Sequence, residues 1–244
     1  MLVLRSLAFN LAFYLNLLVW LVICIPTLVM PSRAVLSVAT AWGRSNLWLM
    51  RILVGTRVEF RRLDRIPPGG LLVAAKHQSF WETFALLSLF EAPTFVLKRE
   101  LTWLPIFGPL LVKAGMIPVD RGKGTSALVG MTRRAAQAVR DGRQILIFPE
   151  GTRRAPGAEP AYKFGVAHLY RSLDVPCLPV ALNSGIFWPR RQFLRRPGTI
   201  VVEILEPIPP GDSRDEFLAV LTDRIETASD RLLGEAMVSV RESS

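Results

Sequence analysis

The sequence predicts an α/β fold, a mixed, mostly parallel sheet flanked by helices, preceded by an N-terminal hydrophobic, membrane-embedded helical segment. Three observations carry that reading. From Arg57 onward, short runs of apolar residues alternate with stretches of helical spacing, the pattern of repeated strand-helix units. Glycine and proline punctuate these runs, as in Pro67-Pro68-Gly69-Gly70 and Pro207-Ile208-Pro209-Pro210-Gly211. Ahead of them, Ser6 to Met30 is almost wholly apolar, with interruptions at Asn10, Asn16 and Pro26.

At 1.5 Å of rise per residue the apolar stretch is long enough to span a hydrocarbon core of about 30 Å. A cleaved signal peptide would have a shorter core and a small-residue site close behind it, and Ala39-Thr40-Ala41 comes too late. Val35 to Val54 is a second apolar stretch in which Arg44 and Arg51 share a helical face, as in a helix at a lipid surface. Arg33, Arg44 and Arg51 outnumber Arg5, which places the remainder of the chain on the cytoplasmic side of a membrane, the inner membrane if the source is bacterial. The pattern leaves open one span or a hairpin re-entering one leaflet. The chain thus divides into membrane-anchoring helices (1–55) and an α/β domain (56–244).

Within the second part, strands are expected at Arg57–Arg61, Leu71–Lys76, Thr94–Lys98, Met116–Asp120, Gln144–Phe148, Val175–Leu182 and Thr199–Leu205. Helices are expected at Trp81–Phe90, from a cap at Thr125 or Ser126 to Arg140, at Lys163–Leu173 and from Ser213 to about Met237. Leu101–Lys113, interrupted by Pro105 and Pro109, reads as a short broken helix or a surface-dipping segment rather than a span.

Half of the 244 residues are hydrophobic, enough for a large core, and the mean hydropathy of +0.32 is high for a soluble protein. Thirty Lys and Arg against twenty Asp and Glu leave a formal charge of +10, which points to an anionic partner. Its aromatics are not interleaved with the basic clusters in an RNA-binding pattern, so nucleic acid is not expected, and an anionic phospholipid membrane is. Cys24 and Cys177 make no disulfide framework.

The chemistry is expected after the strands. His77 follows the apolar run Leu71-Leu72-Val73-Ala74-Ala75, where α/β sheets place their reactive groups. An imidazole near neutrality can take a proton from a hydroxyl, and a carboxylate on its other nitrogen fixes the tautomer. Glu82 is the candidate carboxylate. On a continuous helix, residues five apart point about 140° away from each other, so the chain must bend between them, and Ser79 as a helix N-cap would bend it. The second histidine, His168, has no acid near it in sequence and reads as packing or helix surface. Pro149-Glu150-Gly151-Thr152-Arg153-Arg154 follows a strand and offers a glycine for close approach, a hydroxyl and two guanidiniums, a set that could hold a phosphate monoester. Lys98-Arg99 and Asp120-Arg121-Gly122-Lys123 also follow strands.

These blocks resemble the glycerolipid acyltransferase family, in particular its membrane-bound 1-acyl-sn-glycerol-3-phosphate acyltransferases. The likeness lies in His77 to Glu82, in Lys98 to Leu101 with Gly115 to Arg121, in Phe148 to Arg153, and in Val175-Pro176-Cys177-Leu178-Pro179-Val180, in that order. One departure is Glu82, where the family has aspartate. The resemblance implies a catalytic role for His77 and Glu82, and acceptor binding by Lys98, Arg121, Glu150, Gly151, Thr152 and Arg153. Glu150 would contact glycerol oxygens or fix an arginine, and Ser79 and Pro179 would shape the site. It implies transfer of an acyl group from acyl-CoA or acyl carrier protein to lysophosphatidic acid, with no cofactor and no metal. Other lysolipids, such as a lyso-ornithine lipid, are the alternative acceptors. A thioesterase or lipase with Ser79 or Cys177 as nucleophile is the alternative from another class, although no Gly-x-Ser-x-Gly elbow is present.

Overall fold

The structure, a computed structural model, describes residues 1–120, 122 and 124–242. Seven strands form one sheet: β1 (Thr56–Arg61), β2 (Leu71–Ala75), β3 (Pro93–Lys98), β4 (Ile117–Val119), β5 (Gln144–Ile147), β6 (Cys177–Leu182) and β7 (Gly198–Ile204). Their order is β1-β7-β6-β2-β5-β3-β4. Neighbours run parallel except at β6–β7, which is antiparallel. The five strands from β6 to β4 therefore end on one edge, and β1 and β7 run the other way. The expected mixed, mostly parallel sheet is present, and each expected strand lies within a few residues of its predicted bounds.

β2 is buried at every position, the mark of a parallel strand covered on both faces. Alternation sorts its side chains: Leu71, Val73 and Ala75 join one hydrophobic cluster, Leu72 and Ala74 the other. The second cluster is closed by helices α5 (Gly124–Arg140), α6 (Phe164–Leu173) and α8 (Arg214–Glu242). α5 begins at Gly124, ahead of the two expected caps. α8 buries Phe217, Leu221, Ile225 and Leu232, which recur at helical spacing along one face.

The first face is covered by the N-terminal helices α1 (Leu2–Cys24) and α2 (Ser32–Leu49), together with short α3 (Glu82–Ala85) and α4 (Phe107–Lys113). α1 and α2 form an antiparallel hairpin. Near its base Arg5 Nε donates to the Leu53 carbonyl, and further along Asn16 Nδ2 donates to Ser45 Oγ and Asn46 Oδ1. The hairpin is not a free-standing anchor. Ser6 Oγ exchanges hydrogen bonds with the backbone of Arg195, and Asn10 Nδ2 donates to the Phe193 carbonyl. Phe13 packs its ring within 6.2 Å of those of Trp42, Phe80, Phe84 and Trp188. Gly43 permits the approach of α2, since a Cβ there would come 2.7 Å from the Phe84 carbonyl. The sequence changes character near residue 55, but the packing runs across that point.

The outward face of α1 is apolar, with Leu7, Leu11, Leu15, Leu18 and Val22 exposed. Leu2–Val29, 28 residues, is long and apolar enough to cross a membrane by length and composition. Arg44, Trp48 and Arg51 are exposed on or just beyond α2. The expected helix over Trp81–Phe90 is one α-turn, α3, followed by a 3₁₀ segment, Leu86–Leu89. Leu101–Lys113 is broken as expected, into a 3₁₀ turn at Arg99–Trp103 and α4.

Because Phe13 joins the hairpin to the α/β unit, Phe13→Ala should cost about 3–5 kcal/mol and lower the thermal midpoint of the detergent-solubilised protein. An unchanged midpoint would mean that the hairpin docks without this cluster.

Candidate active site

β2 ends at Ala75, and Lys76 to Trp81 form the bent connection into α3. The bend is made by Ser79, but not as a helix cap. Its hydroxyl accepts from the Trp81 amide at 3.1 Å, and the helix starts only at Glu82. The turn brings Glu82 back beneath His77, with His77 Nδ1 3.6 Å from Glu82 Oε2. The imidazole stacks on Phe148, centroid to centroid 3.9 Å. His77 Nδ1 is buried and, among the described residues, has no hydrogen-bond partner at that distance. Such pairs are often loose without substrate.

Glu82 is wholly buried, so its carboxylate requires donors. The amides of Gln78 and Ser79 donate to Oε1 at 3.1 and 2.9 Å, and the Ser79 amide also reaches Oε2 at 3.1 Å. The hydroxyl of Ser184, from the short helix α7 (Ser184–Phe187) after β6, makes a further hydrogen bond to Oε1. Gln78 Oε1 accepts from the Gly185 amide at 3.0 Å. Gly185 allows this closeness: a Cβ there would lie 2.9 Å from Gln78 Cβ and from Pro156.

β5 lies beside β2 and delivers the second loop. Gly151, with φ of +66°, turns the chain after Phe148, and its amide donates to the Phe148 carbonyl at 2.9 Å. The Arg154 amide then donates to the His77 carbonyl at 2.8 Å, joining the two loops directly. Gln78, Gly185, Thr152, Arg153, Arg154 and Arg190 are among the residues lining a cavity of about 360 Å³. Its wall begins one residue from His77. Burial, with Arg190 and Arg191 nearby, lowers the basicity of Arg153, and the carboxylate of Glu82 works in the opposite direction.

Glu150 faces inward. It is 1% exposed, with Oε1 3.3 Å from Lys76 Nζ and 3.7 Å from Arg154 Nε. Lys76, 2% exposed, also holds both oxygens of Glu226 on α8, at 2.7 and 2.8 Å, and Tyr162 donates to Glu226 at 2.7 Å. Burial pushes the Glu150 carboxyl above its usual range, against the pull of Lys76. Of the two roles foreseen for Glu150, fixing an arginine fits this placement.

Lys98 sits exposed at the end of β3, two strands from β2 on the same edge. Arg121 lies outside the described residues; its neighbour Asp120 accepts from Arg99 at 3.1 Å. Pro179 is buried in β6 in register with Ala74 of β2, and its carbonyl accepts from the Leu205 amide where pairing with β7 begins. His168 lies on α6, on the sheet face away from the hairpin, its basicity lowered by burial and Arg214. Cys177 is fully buried within β6, and burial pushes its thiol far up, so it is no nucleophile here.

Sequence reasoning missed Ser184, Lys76, Gln78 and Arg190. The rim rule that found His77 applies equally to the residues after β6, so Ser184 was within its reach. The pairing of Lys76 with Glu226, 150 positions apart, had no sequence signal.

The acyltransferase family model matches residues 57–183, a span that holds both loops and β6. This chain belongs to the acyltransferase family. Among curated relatives, a Pseudomonas aeruginosa 1-acyl-sn-glycerol-3-phosphate acyltransferase is 36% identical over 80% of this chain and 76% of its own. The human 1-acyl-sn-glycerol-3-phosphate acyltransferase alpha is 28% identical over 89% of this chain and 77% of its own. The crystal structure of the 1-acyl-sn-glycerophosphate acyltransferase of Thermotoga maritima superposes with a TM-score of 0.78 at 20% identity, covering 95% of this chain and 98% of that one. The last likeness bears on the fold, which is that of an acyltransferase from the N-terminal helices onward.

In this acyltransferase, Ser184→Ala removes a hydrogen bond to a buried carboxylate, worth about 1.5–3 kcal/mol. We expect kcat to fall by about tenfold or more, with little change in KM for either substrate, measured by initial rates. Unaltered kcat would show that the backbone amides alone hold Glu82.

Proposed function

We propose that the protein transfers a fatty acyl group from the thioester of acyl-CoA or acyl carrier protein to the sn-2 hydroxyl of 1-acyl-sn-glycerol 3-phosphate, forming phosphatidic acid for phospholipid synthesis. The observation that carries this reading is the His77–Glu82 pair beside a cavity lined by Thr152, Arg153, Arg154 and Arg190. The names of the relatives support the same acceptor.

Glu82 faces Nδ1, which leaves Nε2 of His77 as the base. As the acceptor hydroxyl oxygen attacks the thioester carbonyl, its proton passes to Nε2 and the buried carboxylate stabilises the imidazolium. The tetrahedral intermediate then collapses, the carbon–sulfur bond breaks, and the imidazolium returns its proton to the leaving thiolate. A thioester is already activated, so this chemistry calls on no metal or redox cofactor. Arg153 and Thr152, with Lys98 further along the same edge, hold the acceptor phosphate, a role the resemblance also gives to Arg121, and Gly151 lets the backbone approach it. Glu150 acts from behind, by fixing Arg154.

The apolar outer face of the hairpin lies in lipid, with the site on the cytoplasmic side of a bacterial inner membrane. The amino-terminal half of α1 is docked on the α/β unit through Ser6, Asn10 and Phe13, so only its other face is free for hydrocarbon. That favours a hairpin immersed in one leaflet over a perpendicular span. Exposed Trp48 and Trp103 suit the polar-apolar boundary, and the net charge of +10 suits an anionic surface.

Purified protein is assayed with 1-acyl-sn-glycerol 3-phosphate and a lyso-ornithine lipid, each with both donors. Phosphatidic acid should form. His77→Ala should reduce turnover by about 10²–10⁴-fold while leaving the protein folded and in the membrane. Arg153→Ala should chiefly raise KM for the phosphorylated acceptor. Acylation of the ornithine lipid alone would overturn the acceptor assignment, and near-normal turnover by His77→Ala would remove His77 from its role.

A further inference from the structure

The acceptor cavity contains an arginine that lies outside all four sequence blocks. Arg190 sits in the loop between α7 and β7, and its Nη1 donates to the carbonyl of Arg153 at 2.7 Å. This bond does two things. It ties the loop to the backbone of the Phe148–Arg153 block, and it holds two guanidiniums at one cavity wall. Gln192, two residues on, lines the same cavity.

The charge balance of that wall is uneven. Arg154 has a carboxylate partner, with its Nε 3.7 Å from Glu150 Oε1. Among the described residues, neither Arg153 nor Arg190 forms an ion pair, and no Asp or Glu lines the cavity. Burial is the main cause that lowers the basicity of Arg153, and the nearby charge of Arg190 adds to it. An anion with several acceptor oxygens between them would give both guanidiniums the partner that the cavity wall itself lacks. A phosphate monoester offers three such oxygens and close to two negative charges, and guanidinium forks approach it from two directions.

We propose that Arg190 is a specificity-determining residue of the acceptor site, closing a two-arginine clamp with Arg153 on the acceptor phosphate and so setting the preference for phosphorylated over uncharged glycerolipids. This rests on reading the cavity as the acceptor site. Arg190 supplies both its charge and its hold on the Arg153 backbone, and the two contributions separate by substitution. Arg190→Gln retains a hydrogen-bond donor and loses the charge, whereas Arg190→Lys retains the charge and loses the fork. Because Arg190 is exposed, both variants should fold.

The test uses full-length wild type, Arg190→Gln and Arg190→Lys, purified in detergent. Each is assayed with 1-acylglycerol 3-phosphate at saturating acyl donor. Binding of 1-acylglycerol 3-phosphate and of 1-monoacylglycerol to the donor-free enzyme is measured alongside. Arg190→Gln should raise KM and Kd for the phosphorylated lipid by about tenfold or more, a larger change than any fall in kcat, and leave Kd for monoacylglycerol unchanged. Arg190→Lys should fall between the two. Unchanged KM and Kd in Arg190→Gln, or equal weakening for both lipids, would overturn the proposal, the second outcome because it marks a residue that merely supports the loop. A wild type that neither binds nor acylates the phosphorylated lipid would instead sink the acceptor assignment itself, so the two failures are distinct.

Discussion

One buried carboxylate fixes the geometry on which the site depends. Glu82 has no exposed surface and yet sits beside the histidine that would carry a positive charge in the proposed mechanism. A carboxylate in that position is tolerable only when donors replace water, and here they come from two separate parts of the chain. The amides of Gln78 and Ser79 belong to its own turn, while the hydroxyl of Ser184 arrives from beyond β6. Glu82 is therefore held from both sides before substrate enters, and His77, stacked on Phe148, places Nδ1 3.6 Å from it. In the proposed mechanism this is preorganisation of the kind that lowers barriers without rearrangement during the reaction.

The sheet order explains why these groups can meet. β2 is flanked by β6 and β5, all three parallel, so the turns after them open side by side on one edge. His77 comes from the middle strand, the arginine loop from one neighbour and Ser184 from the other. Behind them, Lys76 binds Glu150 of the arginine loop and Glu226 of α8. A buried lysine shared by two carboxylates ties the site floor to the C-terminal helix, and removing Lys76 would leave the buried Glu150 with only Arg154, at 3.7 Å, as a cationic partner. On the opposite face of the sheet the hairpin packs against Phe84 and Trp188, which joins its exposed apolar face to the unit that carries the candidate site.

Much of this was legible from the residues alone. Leu71 to Ala75 reads as a buried strand because a run of five apolar residues after Pro-Pro-Gly-Gly has few other uses, and the placement of His77 and the arginine loop followed from the rim of a parallel sheet. Local rules failed where distant contacts decide. Spacing predicts a full helix from Trp81 to Phe90, yet tight packing against α2 at Gly43 and the aromatic cluster leaves one α-turn and a 3₁₀ segment. Ser79 looked like a helix cap because its type suits both a cap and a turn, and only the backbone path separates them. Lys76 read as the last residue of a strand, and nothing near it in sequence announces a partner on α8. The N-terminal helices read as an anchor because their composition is that of a membrane segment. Composition does not record that Phe9 and Phe13 face a protein core rather than lipid.

In the proposed mechanism catalysis turns on the reach of the Glu82 side chain, one methylene longer than the aspartate that the resemblance implies at this position. The most direct test is kcat of Glu82→Asp, which keeps the charge and withdraws the carboxylate from Ser184 and His77 by roughly the length of a bond. Misplacement on the order of 1 Å can cost about 10²-fold in rate, so a loss of that order is expected, with the fold intact by circular dichroism. Turnover equal to that of the wild type would contradict the claim that this chain's donors are built around the longer acid.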